Sequence, residues 1–221
     1  MMTARELRAR AREVLGYRIF DGRWLYAVLA YVLVSAASTA IGYIPWAGWI
    51  CSILLTGVFS MCLASYFRYV GERGNDEYSS LAPLIEPIRS DLAGSIVLGL
   101  LTTVFTLLWT LLFVFPGIVK IYSYSMAYYI KLDHPEYTPN QAITESRKMM
   151  NGNKFRLFCL DLSFVGWCFV GILACGIGIL WVQPYMEAAR YEFYRDLKFD
   201  DFGRNMQFFD DSTAQNQGDA I

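Results

Sequence analysis

The sequence predicts an all-α fold: a polytopic membrane bundle of about six transmembrane helices in three hairpins, with cytoplasmic amphipathic helices. The chain of 221 residues is 55% hydrophobic and only 18% charged, whereas soluble domains carry about 25% charged residues. Its apolar residues gather in long uncharged runs. Apart from Lys120, the 19 Lys and Arg residues lie on one side of these runs, as expected of cytoplasmic loops.

The first predicted element is a basic amphipathic helix over residues 3–20. Apolar side chains recur there at helical spacing, and the arginines lie largely off that stripe. The stripe consists of Leu7, Ala11, Val14, Leu15 and Ile19. Such a helix either lies on the cytoplasmic membrane surface or is solvated and packs on the protein's own cytoplasmic loops. The sequence leaves both alternatives open.

The first hairpin follows directly. Residues 24–44 carry no charge, and a run of this length crosses a hydrocarbon core of about 30 Å. A turn at residues 45–47 leads into a second span at residues 48–67. Trp24 and Tyr66 mark the predicted inner interface, because aromatic side chains concentrate at membrane surfaces.

The second hairpin begins after a polar loop at residues 71–91. Its first span covers residues 92–114, and Pro116-Gly117 is expected to break the helix. Residues 118–132 form a fourth apolar stretch that reaches only ~22 Å at helical rise. Lys120 is expected near its outer end, where a lysine is able to extend its ammonium to the surface.

A cytoplasmic amphipathic helix is predicted within residues 133–157. Thr138 and Gln141 have the spacing of a capping box, and Pro139 suits the first helical turn. Gly152 is expected to end the helix.

The third hairpin has spans at residues 158–174 and 179–194, and the chain after Leu197 is acidic, polar and expected to be disordered. Because each amphipathic stretch precedes a membrane hairpin, the three hairpins resemble a parallel repeat. The predicted organisation is a basic helix at 1–23, a transmembrane domain at 24–198 and a tail at 199–221.

Charged residues inside the spans are the candidate functional residues, because charge at the bilayer centre costs roughly 2.5–3.5 kcal/mol. Glu187 falls near the middle of the sixth span. It is either a proton or cation site, helped by Pro184 opening the backbone, or a structural partner of Arg190 or a tyrosine hydroxyl. The candidate polar site comprises Glu187, Arg190, Asp161, Tyr124, Tyr185 and Pro184.

Basic residues form a second candidate site for anionic lipid head groups or a protein partner. These residues are Arg12, Arg147, Lys148, Lys154 and Arg156. The alternative is that they only orient the chain in the membrane.

Four strings in the second half of the chain carry a family resemblance. They are PGIVKIYSYSM at 116–126, ESRKMMNGNK at 145–154, LDLSFVGW at 160–167 and WVQPYMEA at 181–188. They resemble a bacterial multi-pass membrane protein family catalogued as domain of unknown function 975. The resemblance implies a polytopic protein of the bacterial cytoplasmic membrane and brings no established activity with it.

The sequence favours a non-enzymatic function. It contains no recognisable hydrolase or metalloprotease motif and a single histidine, so no catalytic residue, metal or cofactor is implied. Nothing indicates nucleic-acid binding. We expect a membrane scaffold or accessory protein with both termini cytoplasmic, acting through basic helices and interhelical surfaces. The alternative is a small transporter or channel that uses Glu187 and a tyrosine-lined crevice. The expected partners are the lipid bilayer, a second copy of the chain or another membrane protein.

Overall fold

The computed structural model describes residues 2–15, 22–43, 48–73, 81–112, 114–173 and 178–218. All regular structure in these ranges is helical, which confirms the predicted all-α class. The helices are α1 (Ala4–Leu15), α2 (Gly22–Gly42), α3 (Gly48–Arg73), α4 (Glu86–Ser90), α5 (Leu92–Leu112), α6 (Val114–Tyr124), α7 (Ala127–Asp133), α8 (Pro139–Met149), α9 (Lys154–Leu173) and α10 (Ile179–Gly218), with a 3₁₀ turn at Ala82–Leu84 before α4.

Four described helices are long and apolar enough to cross a membrane. The apolar segments are Trp24–Gly42 of α2, Cys51–Glu72 of α3, Leu92–Leu111 of α5 and Lys154–Leu173 of α9. Large apolar side chains on them remain uncovered; Leu111 and Leu173 are 85% and 83% exposed. Contiguous apolar surface of this kind suits contact with lipid or with another protein.

The fourth apolar stretch is two helices rather than the single span that was predicted. Helix α6 ends at Tyr124 and α7 begins at Ala127, with a turn at Ser125-Met126. The Ser125 hydroxyl donates a hydrogen bond to the Tyr122 carbonyl at 2.8 Å. That carbonyl is the one the Met126 N–H would use in a continuous helix, so the side chain competes with the backbone ladder.

Pro116 does not separate α5 from α6 as expected. Helix α6 already begins at Val114, which puts Pro116 in its first turn. A proline is tolerated there because the first N–H groups of a helix have no intrahelical partner. A Cβ on Gly117 would lie 2.7 Å from Thr110 Cα, so this glycine lets α5 and α6 pack closely.

Helix α10 differs from the predicted sixth span and disordered tail. It runs without interruption from Ile179 to Gly218, with Pro184 inside it. Adding residues to an existing helix avoids the unfavourable nucleation step. The polar residues that follow the buried part of α10 are therefore able to continue the helix. The described core contains much of its middle portion, including buried Phe193 and Leu197.

Helix α1 packs its apolar face on other helices of the protein rather than on the cytoplasmic loops that one alternative named. Leu7, Ala11 and Leu15 are buried, and the helix contacts α9 and α10. Ile19 lies outside the described residues. The Thr3 N–H donates to Glu6 at 2.7 Å and the Glu6 N–H donates to the Thr3 hydroxyl at 3.4 Å, which caps the helix.

Helix α8 has the predicted boundaries. The Thr138 hydroxyl accepts from the Gln141 N–H and the Gln141 side chain accepts from the Thr138 N–H, so the capping box is confirmed. Gly152 has a φ of 80° just beyond the helix, as expected of a residue that ends it. The buried Ser146 hydroxyl donates to the Ser123 carbonyl at 2.8 Å and joins α8 to α6.

Helices α3 and α5 cross closely at two glycines. A Cβ on Gly57 would lie 2.6 Å from Gly99 Cα. Small residues at a crossing let helix backbones approach each other, which is a common form of helix packing in membranes.

Candidate functional site

A cavity of about 640 Å³ lies among α3, α5, α6, α7, α9 and α10. Four residues of the predicted polar site line it: Tyr124, Asp161, Glu187 and Arg190. Most of its other polar lining consists of hydroxyl groups from serine, threonine and tyrosine. The structure therefore brings together residues from both halves of the sequence around one polar space.

Three charged side chains meet at the wall of this cavity. The Arg190 guanidinium lies 3.2 Å from Asp161 Oδ2, across the contact between α9 and α10. It also lies 3.3 Å from Glu187 Oε1, one turn earlier in its own helix. Their side chains are partly buried, at 35%, 17% and 23% exposure for Arg190, Asp161 and Glu187. One cation between two carboxylates leaves a net charge of one negative unit.

Helix α5 contributes a row of threonines that the sequence reasoning missed. Thr102, Thr106 and Thr110 all line the cavity. The Thr102 hydroxyl donates to the Leu98 carbonyl at 2.7 Å and the Thr110 hydroxyl donates to the Thr106 carbonyl at 2.8 Å. Their oxygens remain available as acceptors. Their spacing could have revealed them in the sequence. Threonines four residues apart lie on one face of a helix, so they indicate a polar stripe along an otherwise apolar span.

The break between α6 and α7 also faces the cavity. Tyr124 and Ser125 stand on the α6 side of it, and Tyr128 and Tyr129 follow in α7. Discontinuous membrane helices often border solute or ion sites, because a break leaves backbone groups free to interact.

Two of the predicted residues belong to a different contact. Tyr185 is buried against Trp24 and Phe164, at ring-centroid distances of 5.9 and 4.9 Å. Its hydroxyl donates to the Arg8 carbonyl at 2.9 Å. Pro184 is buried beside it. Since Tyr185 lies two residues before Glu187, it points to another side of α10 and does not line the cavity.

A cluster of ion pairs on α10 continues beyond the cavity. Tyr129 of the cavity wall stacks on Tyr194 at 5.3 Å. The Tyr194 hydroxyl donates to Asp133 at 2.7 Å, and Lys198 and Arg68 approach the same carboxylate at 2.6 and 3.2 Å. Burial raises the pKa of Asp133, but the hydrogen bonds from Lys198 and Tyr194 and the nearby positive charges outweigh it and hold the pKa below its usual value.

Lys131 holds the loop after α7. It is nearly buried and its ammonium donates to the Pro135 and Tyr137 carbonyls at 2.9 and 2.8 Å. It also pairs with Asp91 at 2.8 Å. This hydrogen bond lowers the pKa of the Asp91 carboxyl. The pair ties the end of α7 to the start of α5.

The predicted basic site divides into two groups. Arg156 is bound within the protein, since it lies 2.7 Å from Asp196 and donates to the Met2 carbonyl at 2.8 Å. Arg12 lies over the Tyr185 ring at 5.8 Å, and Lys148 pairs with Glu145 at 2.7 Å. Within the described part of the chain, no ion pair engages the side chains of Arg147 and Lys154.

Lys120 of α6 lies beside α5. It is close enough to Arg147 and Lys154 for their charges to repel it, and its ammonium lies 4.4 Å from the centre of the Trp109 ring. The exception in the charge pattern of the sequence therefore lies against an aromatic ring of α5.

Comparison with known families gives one match. The model of the family described as "Protein of unknown function (DUF975)" matches residues 117–200. Residues 117–200 are therefore similar to the DUF975 family. The predicted family is thereby confirmed. The DUF975 segment contains the four cavity residues of the predicted polar site and Lys120, Arg147 and Lys154, whereas the threonine row of α5 precedes it. Neither the curated proteins nor the solved structures contain a match to the chain.

Proposed function

We propose that the protein is an integral protein of the bacterial cytoplasmic membrane that binds a small cation or proton in the cavity and moves it across. The observation that carries the proposal is the cavity with Asp161, Glu187 and Arg190 on its wall. We treat the protein as non-enzymatic, with no cofactor.

The proposed topology has six crossings and both termini in the cytoplasm. The four apolar helices supply four of them. If α5 and α9 cross outward, the chain returns through α6–α7 and through α10, because α7 and α10 both contact α3. Two of the returning segments would be irregular, since α6–α7 is broken and α10 contains Pro184. Such irregular passes are typical of solute pathways.

The charge of the cavity selects the class of solute. Two carboxylates and one guanidinium leave a negative unit that a cation or a proton would neutralise. In a site with low effective dielectric this attraction is stronger than in water. Arg190 pairs with both acids, so it keeps Glu187 in position.

The contacts of Glu187 also fit a purely structural pair in a membrane scaffold. In that case the three charges would hold α9 to α10, and the cavity would have no solute. A neutral isostere at Glu187 distinguishes the two functions. In a transporter it should abolish flux and leave the fold intact, whereas in a structural pair it should mainly lower stability.

Flux measurement distinguishes them. The full-length protein is reconstituted into liposomes that enclose a pH-sensitive dye, and H⁺, Na⁺ and K⁺ gradients are imposed in turn. We expect flux of at least one ion above protein-free liposomes, and its loss in Glu187→Gln. Glu145→Gln is the matched control, since that carboxylate pairs with Lys148 at the surface. Absence of flux for all three ions, or full flux in a folded Glu187→Gln protein, overturns the proposal.

Access of water to the cavity is a second test. In a variant that lacks the native cysteines, Thr106→Cys should react with a membrane-impermeant thiol reagent. Val104→Cys should not react, because Val104 is exposed outside the cavity on the same apolar helix. If neither cysteine reacts with the reagent, the cavity is not reached by water and the proposed pathway is contradicted.

A further inference from the structure

The cavity is large for an inorganic ion. It encloses about 640 Å³. A water molecule takes up about 30 Å³, so an ion with a shell of about six waters would fill less than half of that volume. Cavities of about 300–1,000 Å³ are typical of sites for small organic molecules. A metal cation without its water needs several oxygens around it. In the described part of the chain, no three acidic, histidine or cysteine side chains converge in that way.

Five of the helices that line the cavity form a closed ring around it. Helix α3 contacts α5 and α10, α6 contacts α5 and α9, and α9 contacts α10. In that order α5 stands across the ring from the contact between α9 and α10. The charged side chains of Asp161, Glu187 and Arg190 therefore lie on one side of the cavity, and Thr106 of α5 lies on the other.

Aromatic and apolar side chains make up much of the remaining lining. They include Leu63, Leu157 and the tyrosines Tyr122, Tyr124, Tyr128 and Tyr129. Aromatic rings attract cations through the negative charge of their faces, and apolar side chains stabilise the hydrocarbon part of a solute. A metal ion gains nothing from the apolar side chains, whereas an organic cation uses both kinds of contact.

Glu187 is the carboxylate that is able to take up a further cation. Asp161 accepts three hydrogen bonds from Arg190, at 3.4, 3.3 and 3.2 Å. Glu187 accepts one from Arg190, at 3.3 Å. Because an ionised carboxylate has room for about four hydrogen bonds, Glu187 keeps more acceptor capacity than Asp161.

We propose that the cavity binds a small organic cation, a substituted ammonium with an apolar or aromatic body. Its charge lies at Glu187, on the side where two carboxylates and one guanidinium leave a negative unit, and its body lies against the tyrosines. This inference rests on the proposed function, because the ammonium group and the transported ion occupy the same carboxylate. The two cations therefore compete, and a gradient of one is able to drive the other in the opposite direction.

Calorimetric titration of the full-length protein in detergent tests the inference. The probes are benzyltrimethylammonium chloride and benzyl alcohol, a neutral aromatic compound. The buffer contains NaCl in large excess over the probe, so that Na⁺ competes for the site. We expect saturable binding of benzyltrimethylammonium, with a Kd lower than that of benzyl alcohol by about tenfold or more.

The decisive variant is Glu187→Gln, which removes the charge and keeps the shape. It should weaken binding of benzyltrimethylammonium by about tenfold or more and leave binding of benzyl alcohol unchanged. Glu145→Gln is the matched control, because Glu145 pairs with Lys148 at the surface. Equal binding of the two probes to the wild type, or unchanged binding of the cation in folded Glu187→Gln, overturns the inference.

If Glu187→Gln fails to fold, protection from a thiol reagent replaces it. In the variant without native cysteines, saturating benzyltrimethylammonium should slow the labelling of Thr106→Cys, whereas benzyl alcohol at the same concentration should not. An unchanged labelling rate overturns the inference.

Ion flux in liposomes separates this inference from the proposed function. If flux of H⁺, Na⁺ or K⁺ depends on Glu187 and benzyltrimethylammonium does not bind, transport stands and the inference is wrong. If the organic cation binds at Glu187 and none of the three ions moves, the inference stands and the proposed function is overturned.

Discussion

Arg190 of α10 donates hydrogen bonds to both carboxylate oxygens of Asp161 on α9, at 3.3 and 3.2 Å from the same guanidinium nitrogen. Its Nε lies 3.4 Å from the same carboxylate. The contact joins two helices at the wall of the cavity. It also sets the position of Glu187, which reaches Arg190 from within the same helix at 3.3 Å.

This geometry predicts that neutralising Asp161 and neutralising Glu187 lower the free energy of unfolding by different amounts. Asp161→Asn removes a pair between helices that is partly buried, so we expect a loss of about 1–2 kcal/mol in the free energy of unfolding. Glu187→Gln removes one contact within a helix turn and should cost less than about 0.5 kcal/mol. Thermal unfolding in detergent, followed by tryptophan fluorescence, measures both. A larger effect of Glu187→Gln would mean that Glu187 is the structural partner of Arg190.

The ion pairs of Asp133 lead us to expect that the stability of the protein depends on pH. Its folded-state pKa is below the usual value, so the carboxylate stabilises the fold above the unfolded pKa of about 3.9. That contribution is lost as the pH falls through the lower folded value. Asp133→Asn should therefore destabilise the protein at pH 7. The difference in melting temperature between wild type and variant should shrink as the pH falls from about 5 to about 3. A difference that stays constant over this range would contradict the ion-pair explanation.

The close crossing of α3 and α5 predicts that Gly99 does not tolerate a larger side chain. Gly99→Val puts atoms where the Gly57 backbone lies, and overpacking of this kind costs about 1–3 kcal/mol. Gly166→Val is the matched control, because a Cβ on Gly166 meets nothing within 4 Å. Detergent thermal melts of the two variants are compared, and equal melting temperatures would mean that the helices separate at this crossing.

The capping box of α8 predicts a loss for Thr138→Ala. Removing the hydroxyl leaves the Gln141 N–H without its side-chain acceptor and should cost about 1 kcal/mol. Thr144→Ala, in the middle of the same helix and exposed, should be close to neutral. Hydrogen exchange of the α8 amides, measured by mass spectrometry, should accelerate in the first variant and remain unchanged in the second.

Local features were predictable because they depend on residues close together in the chain. Thr138 and Gln141 cap α8 as their spacing indicates, and Gly152 takes the positive φ expected where the helix ends. The pairing of Glu187 with Arg190 was one of two alternatives drawn from their spacing within one turn. By contrast, Asp161 meets Arg190 across two helices, a contact that no local spacing encodes.

Three expectations differed from the structure for identifiable reasons. The stretch from Ile118 to Leu132 is broken at Ser125-Met126, where the Ser125 hydroxyl competes with the backbone for the Tyr122 carbonyl. Tyr185 was assigned to the polar site, yet its position on α10 turns it towards Trp24. Lys120 was expected to extend its ammonium to the membrane surface, whereas that ammonium lies over the Trp109 ring of α5.

The sequence by itself determined the all-helical class, the four long apolar helices and the caps of α8, because these follow from composition, periodicity and short spacings. The likeness to the family came from four strings in the second half of the chain. The tertiary structure decided that α1 packs its apolar face on α9 and α10. It also decided which charges meet and where a cavity remains. Those outcomes depend on how helices distant in sequence cross, and the direction of a side chain around a helix decides which neighbour it reaches.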